Sequence, residues 1–152
     1  MADKVLVRGL RNKNPFNIKK SKFNWLGKIE STDPVFEQFD TMEHGVRAGL
    51  MLLINYVRKG FDTPSKIIHR FAPVSENNTK YYLDYIVRNN RGLRFIGDCE
   101  HIGDINTLCL IASRMVKYEC KLTTCECCNY YFTQADMLRV VSLYKLNIDN
   151  VL

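Results

Sequence analysis

Asp104-Ile105-Asn106-Thr107-Leu108-Cys109-Leu110-Ile111-Ala112-Ser113-Arg114-Met115-Val116-Lys117-Tyr118-Glu119 is the stretch whose reading decides the fold. Ile105, Leu108, Ile111, Ala112 and Met115 recur at the spacing of one helix face. Asp104 stands where an N-cap belongs, because its carboxylate can accept from the free N–H groups of the first turn. Cys109 falls inside the pattern and reads as core. The series Leu108, Ala112, Met115 continues to Glu119, which places a carboxyl on an apolar face at the C-terminal end of the helix. Burial disfavours its charged form and the helix dipole does the same. A carboxyl that stays protonated toward neutral pH is what general acid catalysis needs. The competing reading is a frayed helix end, with Glu119 in water or paired with Lys117 or Lys121.

Working outward, the same periodicity predicts further helices. Asp40 with Glu43 three residues later resembles a capping box. The stripe Val46, Leu50, Leu53, Ile54 and Val57 follows, and Gly60 ends it. Thr63-Pro64 starts a short helix that buries Ile67, Ile68 and Phe71 before Pro73. Asn77 or Asn78 caps another, carrying Tyr82, Leu83, Tyr85 and Ile86. Thr133 and Asp136 open the last, with Met137, Val140, Val141 and Tyr144 inward. Upstream, residues 1 to 20 read as loop, punctuated by Gly9, Asn12, Asn14 and Pro15. Extended pieces near Phe23-Leu26 and Val35-Phe39 flank the turn Thr32-Asp33-Pro34 and predict a small hairpin. The expected fold class is α+β, predominantly α: five or so helices with a small β-hairpin in one domain spanning residues 1–152.

With 152 residues, 46% hydrophobic and 25% charged, the chain can bury a core without staples. The longest apolar run, Ala48 to Val57, is about half a membrane span, and no span is expected. Met1 to Arg8 contains no apolar segment of the secretory kind, so synthesis in a cytoplasm without a signal peptide is expected. The net charge of +6 suits nucleic acid, an anionic membrane surface or anionic wall polymers without choosing among them. The basic stretch Arg8 to Lys28 lacks a nucleic-acid motif and reads as a solvated face. Six cysteines occur, four of them between Cys120 and Cys128. A structural zinc site wants two separated ligand pairs, and this single clump has no nearby histidine. Free thiols, no metal and no cofactor are expected.

Two further carboxylates compete with Glu119 for a catalytic role. Glu43 is ordinary helix-start chemistry or a second acid, and Asp33 is a turn-former or a second carboxylate facing a cleft. His44, His69 and His101 are scattered. Aromatic faces with amide and hydroxyl groups suit a sugar. Trp25, Asn14, Asn17, Asn78, Tyr82 and Glu76 are the expected binding residues. The plainer readings are a core anchor for Trp25 and turn or cap roles for the asparagines.

Arg8-Gly9-Leu10-Arg11-Asn12-Lys13-Asn14-Pro15-Phe16-Asn17-Ile18 resembles the opening of a group of phage virion and lysin-like proteins of the lysozyme-like superfamily. Trp25-Leu26-Gly27 is similar to their W-x-G, and Glu43-His44-Gly45-Val46-Arg47-Ala48 to their E-x-G-x-R-A. Phe71-Ala72-Pro73 with Glu76-Asn77-Asn78-Thr79 and Tyr82 resembles their A-P…E-N-x-T-x-x-Y. Met115 to Glu119 resembles a closing M-x-x-x-E. The likeness runs in order from Arg8 to Glu119. It departs at Phe71, where Trp is usual, and at Cys120-Lys121, where Gly often follows the Glu.

The N-P-x-N-I and W-x-G elements also look like parts of cell-wall glucosaminidases and lytic transglycosylases. There the catalytic Glu ends a helix upstream of the asparagine element, and no such helix precedes Asn14 here. The resemblance therefore implies a permuted order, with Glu119 folded back beside the Asn14-Ile18 loop. It also implies a phage protein acting on peptidoglycan strands, incorporated in a virion with other virion proteins, with Glu119 as general acid. Two rival readings are a non-catalytic virion structural protein that keeps the fold and a basic nucleic-acid-associated phage protein.

Overall fold

A computed structural model describes residues 7–87, 96–121 and 132–148. Its elements are α1 (Arg8–Arg11), β1 (Lys28–Ile29), β2 (Gln38–Phe39), α2 (Met42–Arg58), α3 (Pro64–Phe71), α4 (Thr79–Val87), α5 (Ile105–Glu119) and α6 (Gln134–Tyr144). The fold is α+β and predominantly α.

The quoted stretch forms α5, and Asp104 caps it by accepting from the Thr107 N–H at 2.8 Å. Every residue from Thr107 to Val116 is buried, so α5 is enclosed on all sides rather than along one face. The reason is its position: α2, α4 and α6 all pack against it. A helix enclosed in this way must be apolar around its whole circumference or satisfy its polar groups internally. Ser113 bonds back to the Leu110 carbonyl, and the fully buried Arg114 donates to the Ile86 carbonyl of α4.

The cap of α2 is Thr41, whose hydroxyl accepts from the His44 N–H, not Asp40 as the sequence predicts. Asp40 instead holds the His44 ring at 2.6 Å. Thr63 caps α3 with Pro64 at its first position, and Thr133 with Asp136 makes a full capping box on α6. On α4 the inward residues are Tyr82, Ile86 and Val87, while Tyr85 is exposed.

The region expected to be loop holds one helical turn, α1. The hairpin is present, but its first strand is Lys28–Ile29, not Phe23-Leu26. Lys28 pairs with Phe39 and Ile29 with Gln38 in antiparallel register. Phe23 leaves the sheet to pack its ring 4.3 Å from Trp25. Just before the second strand, Phe36 forms an isolated antiparallel bridge with Lys19. Glu37 N–H donates to the Ile18 carbonyl there. The segment before the hairpin is thereby held against it.

Asp33 fastens this layer. Arg8 reaches it with two N–H donors at 2.8 and 2.9 Å, Asn12 with one, and the Val35 and Phe36 backbone N–H groups with two more. The Arg8 hydrogen bonds, opposed by burial, hold the Asp33 carboxyl far below the usual carboxylate range. A depressed acid stabilises the fold above its unfolded pKa of about 4, and that contribution fades as pH falls further. Asp33→Asn is therefore expected to melt below wild type at pH 7. The gap should narrow as the pH is lowered from 4 toward 2, as followed by circular dichroism.

No helix among the described residues is long and apolar enough to cross a membrane.

Candidate active site

The site forms where a loop, the start of α4 and the end of α5 meet. The loop is built around Asn14, which is fully buried. Its amide donates to the Ile18 and Glu37 carbonyls and accepts from the Ile18 N–H, each at 3.0 Å. These bonds close the turn from Asn14 to Ile18, with Phe16 buried inside. Asn17 takes a left-handed conformation (φ 51°), which Asn tolerates better than most residues. That turns its side chain toward α5, where Nδ2 donates to Glu119 Oε1 at 2.9 Å, across 102 residues of chain.

The next residue fastens the same junction. The Cys120 thiol is buried and donates to the Pro15 carbonyl at 3.4 Å. Lys121 then leaves the helix in a left-handed conformation (φ 53°). Burial pushes the thiols of Cys109 and Cys120 up to about 12, which makes both poor nucleophiles.

On the α4 side, Asn78 starts the helix, its backbone and side-chain oxygens accepting from the Tyr82 and Tyr81 N–H groups. The Tyr82 ring stacks on Tyr118 with centroids 3.9 Å apart and planes at 29°, and Phe71 meets it edge-on at 6.4 Å. The Tyr82 hydroxyl lies buried beside Glu119. It is close enough to favour the carboxylate but outside full hydrogen-bond geometry.

Glu119 is half-buried. Burial raises its pKa above the ordinary 4.5, opposed by the Asn17 hydrogen bond and by Tyr82. A carboxyl biased toward its protonated form, beside an amide and a tyrosine wall, can deliver a proton.

The structure thus joins Glu119, Asn17 and Tyr82. Glu76 reaches the loop through an ion pair with Lys19. Other predicted residues lie elsewhere or have other work. Asn14 is a scaffold for the loop rather than a ligand contact. Asn78 is a cap at the rim of a separate pocket with His69, Val74 and Leu83. Trp25 is buried under the hairpin, the core-anchor reading, and no partner for its Nε1 is present among the described residues. Asp33 is committed to five hydrogen bonds, which contradicts a cleft-facing second carboxylate. Glu43 is exposed on the α2–α6 face and accepts from the Tyr144 hydroxyl at 2.7 Å, away from the contacts of Glu119.

Tyr118 and Cys120 are site residues that sequence reading missed. Their only signal was adjacency to Glu119. Among the described residues no three metal-ligating side chains cluster. Cys125, Cys127 and Cys128 lie outside the described residues.

A mainly helical domain with one semi-buried carboxyl at a helix end, cradled by a polar loop, is the class that fold and site define. No family model matches the chain. It is similar to Protein P5 of Pseudoalteromonas phage PM2, 43% identical over 92 residues, which cover 57% of this chain and 57% of that protein. The match thus spans less than two thirds of the phage protein. It relates the chain to a bacteriophage protein.

Proposed function

We propose that this chain is a phage-encoded muralytic protein, a single lysozyme-like domain over residues 1–152 that is carried in the virion and cleaves peptidoglycan strands with Glu119 as general acid. The motifs from Arg8 to Glu119, which resemble those of virion and lysin-like phage proteins, support this reading. One observation carries the proposal. The helix-ending Glu119 is half-buried, shifted toward its protonated form, and bonded by Asn17 of the loop whose motif resembles cell-wall hydrolases.

Proton delivery to a glycosidic oxygen is the step this carboxyl suits. A hydrolase of the two-carboxylate kind needs a partner acid within about 5–10 Å. Among the described residues no other charged carboxylate acts on Glu119, and Asp33 and Glu43 are engaged elsewhere. Chemistry with one carboxylate is therefore favoured, as in a lytic transglycosylase. There a hydroxyl of the sugar replaces the attacking water, and Glu119 gives a proton to the leaving oxygen and then takes one from that hydroxyl. The same observation favours, as a second reading, a virion structural protein that retains the fold without catalysis.

Turbidity loss of purified cell walls decides between the two. Failure of wild type to clear them would remove the enzyme reading. Activity should fall as pH rises through the Glu119 pKa, because the acid must be protonated. Asn17 favours the charged form, so Asn17→Ala is expected to move this alkaline limb to higher pH. An unmoved limb would detach Asn17 from the chemistry.

A further inference from the structure

A shallow pocket at the C-terminal end of α5 is lined by Tyr85, Lys117, Tyr118 and Lys121. Tyr118 is shared between the two places. One face of its ring stacks on Tyr82, which lies beside the Glu119 carboxyl, and Tyr85 stands 5.4 Å from it at 59°. Lys117 occupies the last turn of α5, and Lys121 lies just past its end. Neither has an ion pair among the described residues. We propose that this pocket is a subsite for a carboxylate-bearing sugar, which it distinguishes from a neutral one. The inference rests on the glycan-cleaving reading and names the substrate feature that reading leaves open.

The chemistry of the walls supports this occupant. With its other face covered by Tyr82, Tyr118 cannot sandwich a flat ring between parallel partners. A tilted tyrosine pair instead offers one face and one edge, which suits the C–H face of a pyranose better than a stacked base. Both ammonium groups line the pocket, and each can donate to a carboxylate bound there. In peptidoglycan that group is the lactyl carboxylate of the muramyl sugar, or, where a stem peptide is attached, a carboxylate of the stem.

The test uses full-length Glu119→Gln, so that ligand is bound without turnover, and titration calorimetry with three probes. These are neutral chitotetraose, a peptide-free muramyl tetrasaccharide, and the same tetrasaccharide with stem peptides. The muramyl glycans should bind about fivefold more tightly than chitotetraose, the scale of a solvent-accessible charge pair. The preference should disappear at about 0.5 M salt and in the added variants Lys117→Gln and Lys121→Gln. The chitotetraose affinity and melting temperature of those variants should stay unchanged. If the peptide-free glycan carries the whole preference, the lactyl carboxylate is the group recognised; if only the peptide-bearing glycan does, it is the stem.

Equal binding of all three probes, unaffected by the lysines, would overturn the subsite and leave the glycan reading standing. Tighter binding of an oligo-dT strand, lost with the same lysines, would overturn it in favour of nucleic acid. Absence of binding to any glycan would remove the parent reading as well.

Discussion

Glu119→Gln is expected to abolish wall clearing while raising the melting temperature. The two effects share one cause. In the folded chain the Glu119 carboxyl holds its proton more tightly than in the unfolded chain, mainly because of burial. An acid with a raised folded pKa makes the fold less stable as pH climbs from the unfolded value through the folded one, because ionising the buried group then opposes folding. Above both values the wild type bears that cost in full. Gln keeps the shape, can accept the Asn17 N–H through its carbonyl, and carries no charge. A gain of about 1 kcal/mol, or about 3 °C in melting temperature, is the scale expected when a functional carboxyl of this kind is neutralised. The stability difference should shrink as the pH is lowered toward about 4.5 and be lost below it, where wild type and variant are both uncharged at this position. Loss of a general acid costs about 100- to 10,000-fold in rate, which reads as no clearing on walls. Lower thermal stability with clearing intact would make Glu119 a structural residue and leave the virion-component reading in its place.

The second large effect is expected at Gly49→Ala. In an ordinary helix this exchange stabilises by about 1 kcal/mol, because Gly loses more freedom on folding. Here a Cβ at position 49 would sit 2.0 Å from the Phe16 ring. Phe16 is fully buried in the closed Asn14–Ile18 turn and cannot step aside without moving the loop. The sign therefore reverses, with a loss of about 1–3 kcal/mol from overpacking. Asn17 follows Phe16 directly, so clearing should fall more than stability alone explains. Adding Phe16→Leu should recover part of both losses, because the clash is a property of the pair. Gly45 is under the same constraint from the Lys13 carbonyl, 1.9 Å from where its Cβ would be. If Gly49→Ala instead raised the melting temperature, the close packing of loop on helix would be refuted.

The parts of this architecture written in local chemistry were legible. Thr63-Pro64, Asp104 and the Thr133–Asp136 box announce helix starts because caps are decided within four residues. The α5 stripe announced a core helix, but not its full enclosure, which depends on α2, α4 and α6 arriving from elsewhere in the chain. The hairpin was visible and its first strand misplaced. Phe23 to Leu26 has strand-like composition, yet Trp25 and Phe23 pack on each other and the pairing begins only at Lys28.

The site was half legible. An acid at an apolar helix end stands out as a violation of two local rules, and violations are where function concentrates. Asp33 also looked available, because the turn around it is visible and the Arg8 that engages it lies 25 residues away. Nothing local in Trp25 separates a glycan platform from a core anchor. The ring of Tyr118 was hidden for another reason: neighbouring positions on a helix point about 100° apart, so Glu119 on the inner face gives no hint of where residue 118 goes.

The bond between Asn17 and Glu119 also has a meaning in time. Its two ends are 102 residues apart, among the widest separations in the protein. Closing so long a span is entropically unfavourable until intervening helices have drawn the ends together. Contacts of this kind form late, after local turns and caps have been made. During synthesis, the donor loop exists long before its acceptor has left the ribosome. Whatever Glu119 does, it does only in a chain whose helices α2 to α5 are already in place, so assembly itself acts as the arming step.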